Sequence, residues 1–297
     1  MIHSHHGVLM VLNETIHNWI NCWKSSLDEG YYTSDEKQAA SWNKRAKHFG
    51  KDVEEERQKK KNTDFFNLLE EAGFNPVGAR ILDIGCGPGT LSIPLAQAGA
   101  QVTSLDISSG MLDRLKEIAE RENLPITPVE CSWWTADIDA LGFRNSFDLV
   151  IASFTPGIKD VETFDRMMAC SRRCCYYSNF IRKDPAKIPS DIYTRILDTV
   201  PQDNLFASGF MYPFMYVYTL GFRPIVKITH KLEDRDQSPE EAAEKAIDFL
   251  LLRQELTEEI KEKIREYYRN SSIDGIYHTQ SDIYKGMMIW SKGENKT

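Results

Sequence analysis

The strongest constraint on this chain is the run Ile81-Leu82-Asp83-Ile84-Gly85-Cys86-Gly87-Pro88-Gly89-Thr90, followed by Leu91-Ser92-Ile93-Pro94-Leu95-Ala96. Apolar residues around one acid read as a buried strand, and the apolar positions after Thr90 as the start of a helix. Between them lie Gly85, Gly87 and Gly89. Glycines at a strand-to-helix turn permit positive φ and let a ligand approach the backbone closely. The helix behind them offers unpaired N–H groups. Seventeen residues beyond Gly89, Val102-Thr103-Ser104-Leu105-Asp106 reads as a second strand ending in an acid. That acid falls where a βαβ nucleotide site holds ribose hydroxyls. Together these features describe a nucleoside-cofactor site.

Which nucleoside follows from the spacing. The dinucleotide fingerprint is G-x-G-x-x-G, whereas Thr90 stands here in place of the last glycine and the spacing is G-x-G-x-G. Asp83, just inside the strand, would repel a pyrophosphate and suits a ligand carrying an ammonium group. At this point the chain resembles the class I S-adenosylmethionine (SAM)-dependent methyltransferases, whose first motif D-x-G-x-G-x-G is matched from Asp83 to Gly89. The resemblance spans about residues 42–181 and is carried further by Asp106 and the later strand Phe147-Asp148-Leu149-Val150. An NAD-binding turn or a glycine-rich loop without ligand is the competing reading.

Charge and composition narrow the partners. A formal charge of −8 argues against nonspecific nucleic-acid binding, which needs a basic footprint. The 41% of hydrophobic residues suffice for a sizeable core, yet no apolar run approaches the ~20 residues that span a bilayer. Met1 to Leu12 lacks the basic region and small-residue cleavage site of a signal peptide and reads as a disordered or helical end. Six cysteines without regular spacing fit free thiols in a reducing cytoplasm.

Along the chain, residues 1 to about 70 read as helical. Ile16, Trp19, Ile20 and Trp23 mark one apolar helix face, and Ala39, Trp42, Ala46 and Phe49 a second. Tyr31 and Tyr32 fall in a polar connection, and Lys51 to Lys61 in a solvated helix face or loop. Phe65, Phe66, Leu68 and Leu69 form a buried helix ending near Gly73. Strands are expected at 80–84, 101–106, 125–130, 147–153 and 174–181, alternating with helices as in a parallel sheet. Ser108 and Ser109 can cap the helix through Met111, Leu112, Leu115 and Ile118. Ile188 to Val200 reads as helical, 204–220 is rich in aromatics from Phe206 to Tyr218, and 223–232 alternates like a strand. Ser238-Pro239-Glu240-Glu241 opens a helix to about Glu255, Thr257-Glu258-Glu259 another to about Asn270, and 284–291 closes as a strand.

The resemblance implies an α/β, Rossmann-like class I methyltransferase fold. Its mostly parallel, seven-stranded sheet would carry helices on both faces, with an N-terminal helical lid and a C-terminal helical insertion. The parts would be residues 1–72 as lid segment, 73–182 as SAM-binding core, and 183–297 as last strands plus a substrate-site insertion. Asp83, Gly85 and Gly89 would line the methionine end, with Cys86 and Gly87 in the same loop. Asp106 would take the ribose hydroxyls, and Ile107, with Met111 behind it, would pack on the adenine. Ser132 and Trp133 would close the other side of the adenine, although Asp137 is an alternative to Ser132. Ser153 and Thr155, in Ser153-Phe154-Thr155-Pro156-Gly157, fall where such enzymes touch both methyl group and acceptor.

No strong base is evident. The Asn/Asp-Pro-Pro-aromatic motif of DNA-adenine enzymes, the paired glutamates of protein-arginine enzymes and the Pro-Cys nucleophile of cytosine C5 enzymes are all absent. Thr155, His230 and His278 are the candidate catalytic groups. Cys170, Cys174 and Cys175 lack the second ligand pair of a zinc site, and no metal is expected. His3, His5 and His6 read as part of an unstructured terminus, with adventitious chelation as the alternative. The aromatics from Phe206 to Tyr218 wall a substrate pocket or pack the core. The expected function is methyl transfer from SAM, giving S-adenosylhomocysteine, to a small molecule in the cytoplasm, without membrane or nucleic-acid partners. The alternatives are a non-catalytic SAM-binding regulatory protein, an NAD(P)-dependent oxidoreductase and, weakest, aminopropyl transfer.

Overall fold

Alternation within strands sorts this chain's apolar residues onto two faces of one sheet. Ile81, Leu149, Ile151, Tyr176 and Ile289 pack on one face with Phe65, Leu68 and Leu95. Their immediate neighbours Leu82, Val150, Ala152, Tyr177 and Trp290 pack on the other with Trp23, Phe164 and Val217. Strands buried on both faces need near-continuous apolar runs, which 81–84 and 147–152 supply with one acid in each, Asp83 and Asp148. The computed structural model describes residues 3–26, 34–46, 55–184, 188–200, 209–251 and 254–292, with side chains for all of these except 3–13, 55–62, 183 and 184.

The element order is α1 (His3–Ser25), α2 (Asp35–Ala46), α3 (Glu55–Glu71), β1 (Arg80–Ile84), α4 (Ser92–Gln97), β2 (Gln101–Asp106), α5 (Ser109–Arg121), β3 (Ile126–Glu130), β4 (Phe147–Ser153), α6 (Val161–Cys170), β5 (Ser171–Asp184), α7 (Met211–Thr219), β6 (Ile225–Gln237), α8 (Pro239–Leu251), α9 (Glu258–Asn270) and β7 (Tyr277–Ser291). The sheet has seven strands in the order β3-β2-β1-β4-β5-β7-β6. The first five are parallel and β7 is antiparallel to both β5 and β6. The order reverses between β1 and β4, so a crevice opens beyond their carboxyl ends. This is the Rossmann-like arrangement expected from the sequence, with α8 and α9 lying between β6 and β7 in the chain.

Local chemistry explains the elements. Ser108 caps α5 by accepting from the Met111 N–H at 3.2 Å. Asp160 and Thr163 form a reciprocal capping box on α6. Ser238 and Thr257 cap α8 and α9 through Glu241 N–H (3.1 Å) and Ile260 N–H (3.3 Å). At the base of the sheet Arg172 bonds Asp148 through Nε (2.9 Å) and Nη2 (3.0 Å), and Asp148 also accepts the Arg80 N–H. One carboxylate thus ties β1, β4 and β5, and the Arg172 hydrogen bond holds it below the usual carboxylate range.

The structure corrects some expectations. Ile188 to Val200 is not a regular helix throughout: residues 190–196 coil, Ile192–Ile196 of them as a wide π-type turn with Leu197 N–H on Ile192 O at 3.0 Å. β-branched Ile192, Thr194, Ile196, Thr199 and Val200 lower its helix propensity. β5, β6 and β7 run well past the expected 174–181, 223–232 and 284–291. Their outer parts are joined by polar cross-strand pairs, Asp234 with Gln280 (2.9 Å) and Asp236 with His278 (2.7 Å), so hydrophobic alternation does not mark them. α8 ends at Leu251 rather than Glu255. The stretch around His3, His5 and His6 is helical, its side chains being outside the described residues. Tyr31, Tyr32, Phe49, the run 51–54 and Phe206 also lie outside them.

Candidate active site

The loop after β1 is built by its own hydrogen bonds. The N–H groups of Gly85 and Cys86 both donate to Leu105 O, at 2.7 and 3.1 Å, and that of Gly87 to Asp106 Oδ2 at 2.8 Å. Gly85, Gly87 and Gly89 have φ of +67°, +55° and +91°, the left-handed region glycine enters without penalty. They serve different ends. A Cβ on Gly85 would sit 2.0 Å from Thr155 Oγ1, and one on Gly89 2.4 Å from Leu115 Cδ1, whereas one on Gly87 would meet nothing within 4 Å. Gly85 and Gly89 therefore admit neighbouring side chains, and Gly87 alone leaves open space toward a ligand.

Two buried acids stand beside this loop. Asp83 accepts Ser92 Oγ–H at 2.7 Å, and Ser104 Oγ–H donates in turn to Ser92 Oγ at 2.8 Å. Burial, only partly offset by the Ser92 bond, raises the Asp83 carboxyl to about 6, with the nearby Asp106 charge adding to it. Burial likewise raises Asp106, against the N–H groups of Ser108 (2.9 Å) and Gly87 that hold its anion. Two acids kept uncomfortable by desolvation favour a cation between them. That meets the demand of a ligand bearing a sulfonium and an ammonium. Cys86 is not a nucleophile in waiting, because burial pushes its thiol well up.

The far wall comes from the loops after β3 and β4. Trp133 is buried with Nε1–H on Thr163 O (3.0 Å), and Trp134 Nε1–H donates to Pro156 O (2.9 Å). Arg166 on α6 donates to both Trp133 O and Trp134 O, fixing the segment from below. Thr155 Oγ1 accepts the Gly157 N–H at 3.0 Å, and Ser153 and Ser178 share a hydroxyl hydrogen bond of 2.8 Å. Phe154 between them holds φ at +49°, a strained setting for an aromatic residue and a mark of functional loops. Its ring meets Phe180 edge-on at 5.0 Å.

All of these surfaces enclose one cavity of about 900 Å³. Of the sequence-nominated residues, Asp83, Gly85, Cys86, Gly87, Asp106, Ile107, Met111, Ser132, Trp133, Ser153 and Thr155 line it together, and Gly89 does not. His278 does not line it and pairs with Asp236 at the outer end of the β6–β7 ladder. His230 borders the cavity, but its ring stacks on Tyr284 at 4.3 Å and bonds Asp282 at 2.6 Å. Tyr284 and Asp282 share the face of β7 opposite to Ile283 and Lys285, which line the cavity. The imidazole is thereby turned away from it. Among the described residues no group of His, Cys, Asp or Glu could hold a metal.

The sequence reading placed a lid within residues 1–72 without naming its wall residues, and missed those at the opposite end. Gln38 and Trp42 of α2 cover the loop end of the cavity. Next to them Asn43 Oδ1 accepts both Ser108 Oγ–H (2.7 Å) and Gly110 N–H (3.0 Å), joining α2 to the start of α5. Gly110 is glycine where Ala46 and Asn43 come close: a Cβ there would lie 3.2 Å from Ala46 Cβ. At the other end Phe180, Lys231, Arg235 and Lys285 line the cavity from β5, β6 and β7. The alternation from Lys227 to Arg235 was the signal available for the last group.

Comparison with known proteins bears on this arrangement. Residues 81–175 match the family model described as "Methyltransferase domain". An uncharacterised protein of Haemophilus influenzae is 40% identical over 83 residues, 28% of this chain and 30% of that one. A ubiquinone biosynthesis O-methyltransferase of Rhodopseudomonas palustris is 36% identical over 75 residues, 25% of this chain and 28% of the relative. The matched stretch thus spans about a third or less of these curated relatives. A solved structure of a putative sarcosine dimethylglycine methyltransferase from Galdieria sulphuraria superposes with a TM-score of 0.45 at 16% identity, over 94% of this chain and 98% of that one. The family match is thus to a methyltransferase domain and is confined to residues 81–175, about a third of the chain.

Proposed function

We propose that the chain transfers the methyl group of SAM to a small-molecule acceptor in the cavity described above. One observation carries this reading: the paired acids and open Gly87 at one end share a single 900 Å³ space with the aromatic and charged wall at the other. That volume lies at the upper end of the ~300–1,000 Å³ typical of ligand sites, enough for a cofactor and an acceptor side by side.

Bound SAM supplies an electrophilic methyl on a sulfonium, a good leaving group, so the protein's task is positioning and exclusion of water. Asp106 receives the ribose hydroxyls while its N–H bonds from Gly87 and Ser108 keep its carboxylate in place. Asp83 faces the cationic methionine end, where a cation offsets the cost of burying its charge. Ile107 and Met111 pack on the adenine from one side and the Ser132–Trp133 segment from the other, with α2 as a lid latched by Asn43. Ser153 and Thr155 stand at the methyl end, beside the strained Phe154. The acceptor lies between this loop and the β6–β7 arm.

The test is incubation of the purified protein with SAM carrying a tritiated methyl and a small-molecule extract of cells, followed by chromatography. Label appearing in a low-molecular-weight product supports the reading. Label confined to protein or nucleic acid, or SAM left intact with every acceptor fraction, counts against it and favours a non-catalytic SAM-binding role.

A further inference from the structure

Strand β1 places an acid, Asp83, among apolar neighbours: Ile81, Leu91, Leu95 and Val102 belong to the cluster on that face of the sheet. In the ladder it stands opposite Ile151 on one side and Ser104 on the other. Ser104 reaches it through a third residue. Its Oγ–H donates to Ser92 Oγ at 2.8 Å, and Ser92 Oγ–H donates to Asp83 Oδ2 at 2.7 Å. Both serines are fully buried and neither lines the cavity, whereas Asp83 does. Packing alone would favour apolar residues at 92 and 104, because a buried hydroxyl is costly unless it is bonded. Here both hydroxyls serve one carboxylate.

The chain of hydroxyls has a direction. A carboxylate only accepts, so with Asp83 ionised both serine protons point along the chain toward it. When Asp83 is protonated, its own O–H can donate to Ser92 Oγ, and both hydroxyls turn round toward Ser104. Each state keeps two hydrogen bonds, but the bond to the ionised acid is charge-assisted and the stronger one. The chain therefore favours the anion.

We infer that Ser92 and Ser104 are positioning residues for the cofactor: their hydroxyls form a buried relay that holds Asp83 in its ionised form, the one that attracts the cationic methionine end. The inference rests on the methyltransferase reading of the cavity and extends it to residues that never touch the ligand. Among the described residues, the ionisable groups around Asp83 are Asp106 and Cys86 at the loop, Tyr176 on β5, and Asp64 of α3, which bonds Lys227 at 2.6 Å. Burial opposes the ionisation of Asp83 most, and the Asp106 charge adds to it. The Ser92 hydroxyl is the largest influence in the other direction, and the Ser92 N–H a smaller one.

Carboxyl NMR of the ligand-free protein labelled in its aspartates, with Asp83→Asn to assign the signal, reads the relay without any ligand. Native Asp83 should titrate at about 6. Ser92→Ala, which keeps the N–H and loses the hydroxyl, should move that midpoint up by about one unit or more, the worth of a hydrogen bond to a charged group. Ser104→Ala should move it up by less, and decides the matter alone if Ser92→Ala does not fold. A midpoint unchanged in the folded variants overturns the relay. Calorimetric titration of SAM at several pH values then reads the consequence. The affinity curve of each variant should move with its carboxyl midpoint and rejoin the native curve at alkaline pH. A loss of affinity equal at every pH is a merely structural effect and overturns the inference. Failure of the native protein to bind SAM overturns the cofactor reading, and the role inferred for the serines with it, while the carboxyl titration still reports whether the relay exists.

Discussion

Replacing Gly85 and Gly87 by alanine separates what two superficially equal glycines do. Both have positive φ, +67° and +55°, and an L-residue there loses ~1–2 kcal/mol. Gly85→Ala adds a collision, since the new Cβ would fall 2.0 Å from Thr155 Oγ1 and 2.6 Å from its Cβ. Overpacking of this kind costs a further ~1–3 kcal/mol, for a total of about 2–5 kcal/mol. At ~2–4 °C per kcal/mol for a domain of this size, Tm should fall by roughly 4–20 °C. Gly87→Ala meets no atom within 4 Å and should lose only the backbone share, about 1–2 kcal/mol. Its methyl projects into the cavity, so S-adenosylhomocysteine affinity should drop by about tenfold or more in that variant. Thermal unfolding followed by circular dichroism gives the first ordering and calorimetric titration the second. If Gly87→Ala destabilises as much as Gly85→Ala while leaving ligand affinity intact, the division of labour within the loop is wrong.

Further tests address the acids and the helical cover. Asp83 is raised from 3.8 to about 6 by burial, so the native state binds more protons than the unfolded chain between those values, and stability falls as pH rises through that window. Asp83→Asn should therefore stabilise the ligand-free protein above pH 6 by up to about 3 kcal/mol, with no gain below pH 4, in denaturant titrations at several pH values. In the native protein SAM affinity should rise with pH through about 6, because a bound cation favours the ionised carboxyl; calorimetry in buffers of different ionisation enthalpy reads the released proton. Asn43→Ala removes two hydrogen bonds between α2 and the start of α5, ~0.5–1.5 kcal/mol each. Stopped-flow dissociation of S-adenosylhomocysteine should speed up about tenfold, and an unchanged rate would remove α2 from the role of lid. Gly286→Ala would place a Cβ 2.3 Å from the Phe210 ring and should lower Tm more than any exposed β6 substitution.

How far the sequence reached depends on which force sets each element. β1 and β4 follow the largely apolar stretches Ile81–Ile84 and Phe147–Ala152 to within a residue, because both faces of those strands are buried. The glycine loop and Asp106 were legible for a related reason: a sharp turn and a buried acid leave few residue types to choose from. The outer part of the β6–β7 ladder was not legible, since pairs such as Asp236 with His278 hold it by polar contacts that carry no period. His230 looked like a base by residue type, yet strand parity turns its ring to Asp282 and Tyr284. Lys231, Arg235 and Lys285 reach the cavity wall through the register of two strands some fifty residues apart in sequence, and the alternation from Lys227 to Arg235 was the one local sign of it.

The central claim is that this cavity binds an adenosyl sulfonium cofactor through Asp106 and the Gly87 turn. Calorimetric titration of SAM, S-adenosylhomocysteine and NADH into the native chain and into Asp106→Ala tests it most directly. Expected is one-site binding of both adenosyl ligands and none of NADH. The variant, without the carboxylate and its two N–H contacts, should lose ~3–6 kcal/mol of affinity, about a hundredfold or more, at ~1.5–3 kcal/mol per hydrogen bond to a charged group. Binding of NADH alone, or adenosyl ligands held equally well by Asp106→Ala, would contradict it.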